Sequence, residues 1–216
     1  YEGLKPFFPE GFTYAEFTSG SGLGIMEANV VGPTMADDIK TSTVWALVFS
    51  LAGIFLYILF RFRRWQYSAG CIAASVHNVI IVCGAFALLH GVLPFSMQID
   101  QTFVAAILTV IGYALNDNVI VFDRIREEVR NNPRKDVALL ANMAINKTLS
   151  RTINTSISTF AVILVIFIWG GDSIRGFMFA MGIGVIVGTY SSIFTATPVM
   201  LDLLRMSKKG EKALRK

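Results

Sequence analysis

The sequence predicts an all-α polytopic membrane protein with five transmembrane helices. Three observations carry that prediction. Of the 216 residues 54% are apolar and only 16% charged, and mean hydropathy is +0.58; a soluble domain carries about 25% charged residues. Five apolar segments are each long enough to cross a hydrocarbon layer of about 30 Å. The Lys and Arg residues fall on alternate sides of those segments, as in polytopic chains.

Residues 1–40 hold the only soluble-looking stretch. Pro6, Pro9, Gly11 and the run Ser19-Gly20-Ser21-Gly22 read as turn material. Gly24 to Val31 reads as a short strand with weak alternation. Gly32-Pro33-Thr34 breaks the chain, and Asp37-Asp38 then offer acidic caps to the first helix. The chain opens on Tyr1 and shows no signal peptide, so it reads as part of a longer protein.

The apolar segments run over about 41–60, 67–90, 101–122, 151–169 and 174–204. Between the third and fourth, 123–150 reads as a charged loop carrying an amphipathic helix, with i,i+3 and i,i+4 pairs among Asp123, Arg124, Arg126, Glu127, Glu128 and Arg130. It serves as a solvated connector or as a docking surface. Residues 205–216 form a basic tail. Of 19 Lys and Arg, 16 lie on one side, and only Lys5, Lys40 and Arg175 lie on the other. The positive-inside rule makes the basic side cytoplasmic, with the N-terminal segment outside and the C-terminus inside. The net charge of +4 therefore reflects membrane orientation, and no nucleic-acid partner is expected. Cys71 and Cys83 lie roughly 18 Å apart along one helix, too far for a disulfide, and read as packing residues.

Asp117 stands out chemically. It lies inside an apolar segment, where an Asp costs about 2.5–3.5 kcal/mol at the helix centre and marks an ion or proton path. Thr109, Tyr113, Asn116 and Asp117 form a polar stripe at helical spacing. The alternative is an Asp near the interface that merely caps or snorkels. Arg151 opens the fourth segment and is the natural partner; Arg151, Thr155, Ser158 and Thr159 share one face, with Ser156 beside them. Such a face has little reason to meet lipid. A carboxylate tuned by a cation can load and release protons near neutral pH. Arg151 as one more positive-inside charge is the competing reading.

In the fifth segment Gly176, Ala180, Gly184, Gly188, Ser192 and Ala196 recur every four residues. This small-xxx-small ladder is built for close helix packing. His77-Asn78 lies mid-segment in the second helix and reads either as a relay or as a hydrogen-bonded packing pair. No metal-ligand cluster and no nucleophile–base pair is found, so neither a metal nor an enzymatic activity is expected. Gly182-Ile183-Gly184 lies within a membrane span and is no phosphate loop. The sequons at Asn146 and Asn154 sit at or inside the cytoplasmic face.

The run from Gly112 to Glu127, containing Ala114-Leu115-Asn116-Asp117-Asn118 and Phe122-Asp123-Arg124, resembles the signature of the SecF family, or of the SecF half of fused SecDF. Asn146-Lys147-Thr148-Leu149-Ser150-Arg151-Thr152 with Thr155-Ser156, Val31-Gly32-Pro33-Thr34, Arg61-Phe62-Arg63 and Gly188-Thr189-Tyr190-Ser191-Ser192-Ile193 are similar as well. The resemblance covers about residues 30–204. It implies an RND-superfamily bundle of six helices per half, the first absent here, preceded by a small extracytoplasmic α/β domain of which residues 1–40 are the end. It implies a subunit of the Sec protein translocase in the bacterial inner membrane that uses the proton motive force, or sodium in some relatives, to promote export, with no cofactor. The implied partners are SecD (separate or fused), the SecYEG channel, YajC and YidC, membrane lipid, and the unfolded exported polypeptide. Asp117 and Arg151 then belong to the ion-coupling site, whose main acidic partner lies in SecD. The family usually shows His-Asp where this chain has His77-Asn78, which removes a titratable group. Two other classes compete: an RND-type half-transporter of lipid or small molecules, and a passive scaffold of the Sec or insertase complex.

Overall fold

A computed structural model describes residues 13–15 and 33–207, with side chains described from residue 41 in the second stretch. The chain divides into two compact units, Tyr1–Thr41 and Ser42–Lys216. The expected strand at 24–31 and most of the expected α/β domain lie outside the described residues. Among the described residues from 33 on, six α-helices follow in order: α1 (Pro33–Phe62), α2 (Trp65–Leu89), α3 (Gln101–Asn131), α4 (Val137–Trp169), α5 (Asp172–Ser191) and α6 (Thr197–Met206). A π-helical turn, Ser192–Ala196, joins the last two into one membrane-length element, so five elements are long and apolar enough to span.

Local chemistry sets the boundaries. Pro33 opens α1, which suits the first helical turn, where the N–H that proline lacks would have no intrahelical acceptor. Asp37 and Asp38 consequently sit inside the helix, not at its cap. At the other end Arg63 adopts a left-handed conformation, φ 56°, and its N–H reaches the Leu59 carbonyl at 2.7 Å. Asp100 caps α3 by accepting the Phe103 N–H at 2.8 Å, and Asp136 caps α4 by accepting from Leu139.

The charged segment 123–150 differs from the expected loop. α3 continues to Asn131 and α4 starts at Val137, leaving five connecting residues. The reason is the ion pairing within it. Glu128 is almost buried, with Lys147 Nζ at 2.6 Å and Arg124 at 3.3 Å, so it ties the two helical extensions together beyond their apolar parts. Arg61 binds Asp123 at 2.6 Å.

α3 and α5 are central. In their most apolar stretches 44% is buried, against 11% in α1 and 17% in α4. At the basic end Phe62, Tyr67 and Phe122 form one aromatic knot, with Phe62 and Tyr67 stacked at 4.9 Å. At the opposite end Phe86, Phe95, Phe103, Phe167 and Phe179 interlock. Both clusters bury large rings in edge and offset geometries that add to plain apolar burial.

The small-residue ladder changes partner along its length. A Cβ on Gly184 would overlap the methyls of Val110 on α3, and one on Gly188 would lie 3.1 Å from the Ala114 Cβ. At the end of the π turn α2 packs close, where a Cβ on Gly70 would stand 2.6 Å from the Ala196 carbonyl oxygen. Ala180 and Ser192 are fully buried, and Gly176 abuts the Ser96 carbonyl. An i,i+4 repeat drifts about 40° per step on a 3.6-residue helix. The ladder therefore winds around α5 instead of marking one face.

Candidate functional site

Asp117 sits on α3 where that helix meets α4 and α5, and is buried. Its Oδ2 accepts a hydrogen bond from Thr189 Oγ1 of α5 at 3.4 Å. The Val185 carbonyl, 3.0 Å from Thr189 Oγ1, is the alternative acceptor for its single proton, and Thr189 shares a short hydroxyl–hydroxyl contact with Ser156 of α4. The other carboxylate oxygen, Oδ1, is buried with no hydrogen-bond partner, as is Thr152 Oγ1 on α4. A buried, half-satisfied carboxylate is costly to keep charged without a cation or water. A proton, a hydrated cation or a basic side chain would complete it.

The expected partner does not reach it. No ion pair joins Arg151 to Asp117 among the described residues, and Arg151 is exposed on α4. The cause is helical phase. Thr152 and Ser156 face inward, which turns Arg151, Asn154, Thr155 and Ser158 outward together. The polar stripe on α3 divides for the same reason: the i,i+4 set drifts from buried Asp117 through half-buried Tyr113 to exposed Thr109. Tyr113 reaches Thr159 of α4 at 3.4 Å, and Thr109 turns its hydroxyl back to the Ala105 carbonyl at 2.8 Å. Asn116 is exposed, in line with Ala105, Thr109 and Gly112.

These two outward stripes lie on the same side of the α3–α4 pair. Around α3, at about 100° per residue, the order is exposed stripe, α4 (through Tyr113), α5 (through Val110) and α2. Around α4 it is exposed stripe, α3 (through Thr159) and α5 (through Ser156). The resulting face carries hydroxyls, two carboxamides and one guanidinium on two membrane-length helices. A Cβ on Gly112 would meet nothing within 4 Å. Hydrocarbon is a poor neighbour for such a surface, and small residues with open space beside them are what a closely approaching helix requires.

The remaining predicted residues fall elsewhere. His77, half-buried on α2, stacks on Tyr190 of α5 with ring centroids 6.3 Å apart. Asn78 is fully buried against α5 near Gly188. Neither touches Asp117. Thr189, the residue that does, is visible in the sequence only within the run Gly188-Thr189-Tyr190-Ser191-Ser192-Ile193, beside the ladder residue Gly188. Among the described residues no group of three His, Cys, Asp or Glu could hold a metal ion.

Fold and site together define a polytopic helical bundle with a buried carboxylate on a membrane-length helix and an outward polar face. The chain belongs to the family of protein export membrane proteins SecD/SecF, whose C-terminal model matches residues 15–206. It is 49% identical over 179 residues to the protein translocase subunit SecF of Rhodothermus marinus, covering 83% of this chain and 58% of that one. It is 42% identical over 174 residues to the SecDF of Brucella abortus, covering 81% of this chain and 22% of that one. The crystal structure of SecDF, a translocon-associated membrane protein, from Thermus thermophilus is similar over 81% of this chain and 23% of that one, with a TM-score of 0.71 and 38% identity. The chain thus spans about half the length of SecF relatives and a quarter or less of the fused ones.

Proposed function

We propose that this chain is the membrane part of a Sec translocase subunit that uses the proton motive force to promote protein export, with Asp117 as its proton-binding group. The observation that carries this reading is the buried Asp117 carboxylate, half satisfied within its own chain and adjacent to an outward face bearing Arg151. The SecD half, separate or fused, covers that face and brings a carboxylate to Arg151. The fused relative, of which this chain spans 22%, supports the pairing. Protonation of Asp117 removes a charge from the seam between α3, α4 and α5, and each charge moved across the membrane is worth about 2.3 kcal/mol per 100 mV. Several protons per cycle suffice to bias a two-state bundle. The basic end is cytoplasmic in the bacterial inner membrane, and the wider assembly includes SecYEG, YajC and YidC with the exported polypeptide as cargo. The coupling ion is the proton, and the work is mechanical rather than enzymatic.

The test is completion of secretory-protein translocation into membrane vesicles, with and without a proton gradient, comparing the full protein with Asp117→Asn. Loss of only the gradient-dependent part is the expected result. Equal gradient stimulation in both would make Asp117 structural and leave the chain a passive scaffold.

A further inference from the structure

Away from Asp117, the seam between α2, α3 and α5 contains a second polar set. Asn78 on α2 and Asn118 on α3 are both fully buried. Both polar atoms of the Asn78 carboxamide lack a hydrogen-bond partner within the chain, and the Asn118 carboxamide has only the weakly bonding Cys71 thiol of α2 beside it. Asn78 Nδ2 lies 3.8 Å from the Cβ position of Gly188, a spot that also touches Ala114 of α3. Asn118 stands one turn below Ala114, about 6 Å along the axis, and projects from α3 nearly opposite to the exposed stripe of Thr109, Gly112 and Asn116. Ser75, also buried, lies one turn from Asn78 and donates to the Cys71 carbonyl at 2.9 Å, so its oxygen is left able to accept.

Two such carboxamides do not stay unpaired. Each unmet buried polar group costs about 1–3 kcal/mol, and lipid outside the seam offers no donor or acceptor. A buried water typically makes about three hydrogen bonds to groups of this kind. We propose that Asn78 and Asn118 hold ordered water inside the α2–α3–α5 seam, a hydration site distinct from the one at Asp117. Neither carboxamide titrates, so the site bridges α2 to the central helices without exchanging charge. It lets these backbones approach closely while every polar group is met by a small, replaceable ligand. The site stands independently of the proton-binding reading of Asp117.

The test is magnetisation transfer from water to side-chain amides, by solid-state NMR on the full chain with its partner half in lipid bilayers, using asparagine-selective labelling. Signals are assigned through Asn78→Ser and Asn118→Ser, which keep a polar group in the seam. Transfer to both carboxamides on the timescale seen for exposed Asn154 is the expected result. Absence of transfer, with a direct cross-peak between the two carboxamides, overturns the proposal in favour of a dry pair. Shifts of these signals when sodium replaces choline in the buffer overturn it in favour of a bound cation.

Discussion

At the scale of single residues, the site depends on small groups as much as on the carboxylate. Thr189 is the hydrogen-bond donor to Asp117 Oδ2, and hydrogen bonds to charged groups contribute about 1.5–3 kcal/mol. Thr189→Val, which keeps the shape, is expected to lower gradient-dependent export while leaving the gradient-independent part unchanged, in the vesicle assay used for Asp117. An identical profile to wild type would remove Thr189 from the site. Gly184 makes a second case. Its missing Cβ is the space that Val110 occupies, and forcing extra methyl groups into a packed seam costs about 1–3 kcal/mol. Gly184→Val should lower the thermal midpoint of the bundle in bicelles, and Val110→Ala in the same chain should recover most of the loss. Failure of that rescue would place the strain elsewhere.

At the scale of elements, the five spans were legible because about twenty apolar residues have one physical use. Their ends were not. The segment 123–150 reads as a loop when charges are counted along the chain, since charge density is what separates loops from spans. What hydropathy cannot see is that Glu128, Lys147 and Arg124 meet in space and keep both helices wound past their apolar parts. Lys147→Met is therefore expected to speed amide hydrogen exchange across 124–150 while sparing 153–168; uniform exchange would show that the clamp holds nothing. The polar stripes were legible in the same limited way. Spacing puts Arg151, Thr155, Ser158 and Thr159 on one face; the first three turn outward together while Thr159 turns toward α3, and spacing alone does not say whether a face turns in or out. Phase is set by packing, here by Thr152 and Ser156 against α5. That is why Arg151 and Asp117, natural partners on paper, do not meet within this chain. Thr189 shows in the sequence only as part of the run Gly188 to Ile193, and its role does not stand out because one threonine beside a glycine ladder carries no periodic signal.

At the scale of the molecule, the bundle is unevenly dressed. α3 and α5 are enclosed, whereas α1 and α4 present most of their surfaces outward. Apolar parts of that surface, such as Ile80 on α2, suit lipid. The face of Thr109, Gly112, Asn116, Arg151 and Thr155 does not. Gly112→Trp should block co-purification with the partner half, while Ile80→Trp on the lipid side leaves it intact. Because Gly112 opens onto empty space, the thermal midpoint of the isolated chain should move little in either variant. Equal co-purification would mean that the partner sits elsewhere.

The π turn at Ser192–Ala196 has a bearing on how this chain tolerates insertions and deletions. Such a turn carries one residue more than the α turn it replaces, so the chain can lose that residue and remain helical throughout. Deleting Phe194, whose ring points outward, would turn the π turn into an α turn and leave the residues on either side near their present orientation, with Thr189 still in the site and Met200 and Leu204 still in the core. The last span thus tolerates the loss of one residue at this turn, whereas a deletion elsewhere along it would rotate everything after it by about 100°.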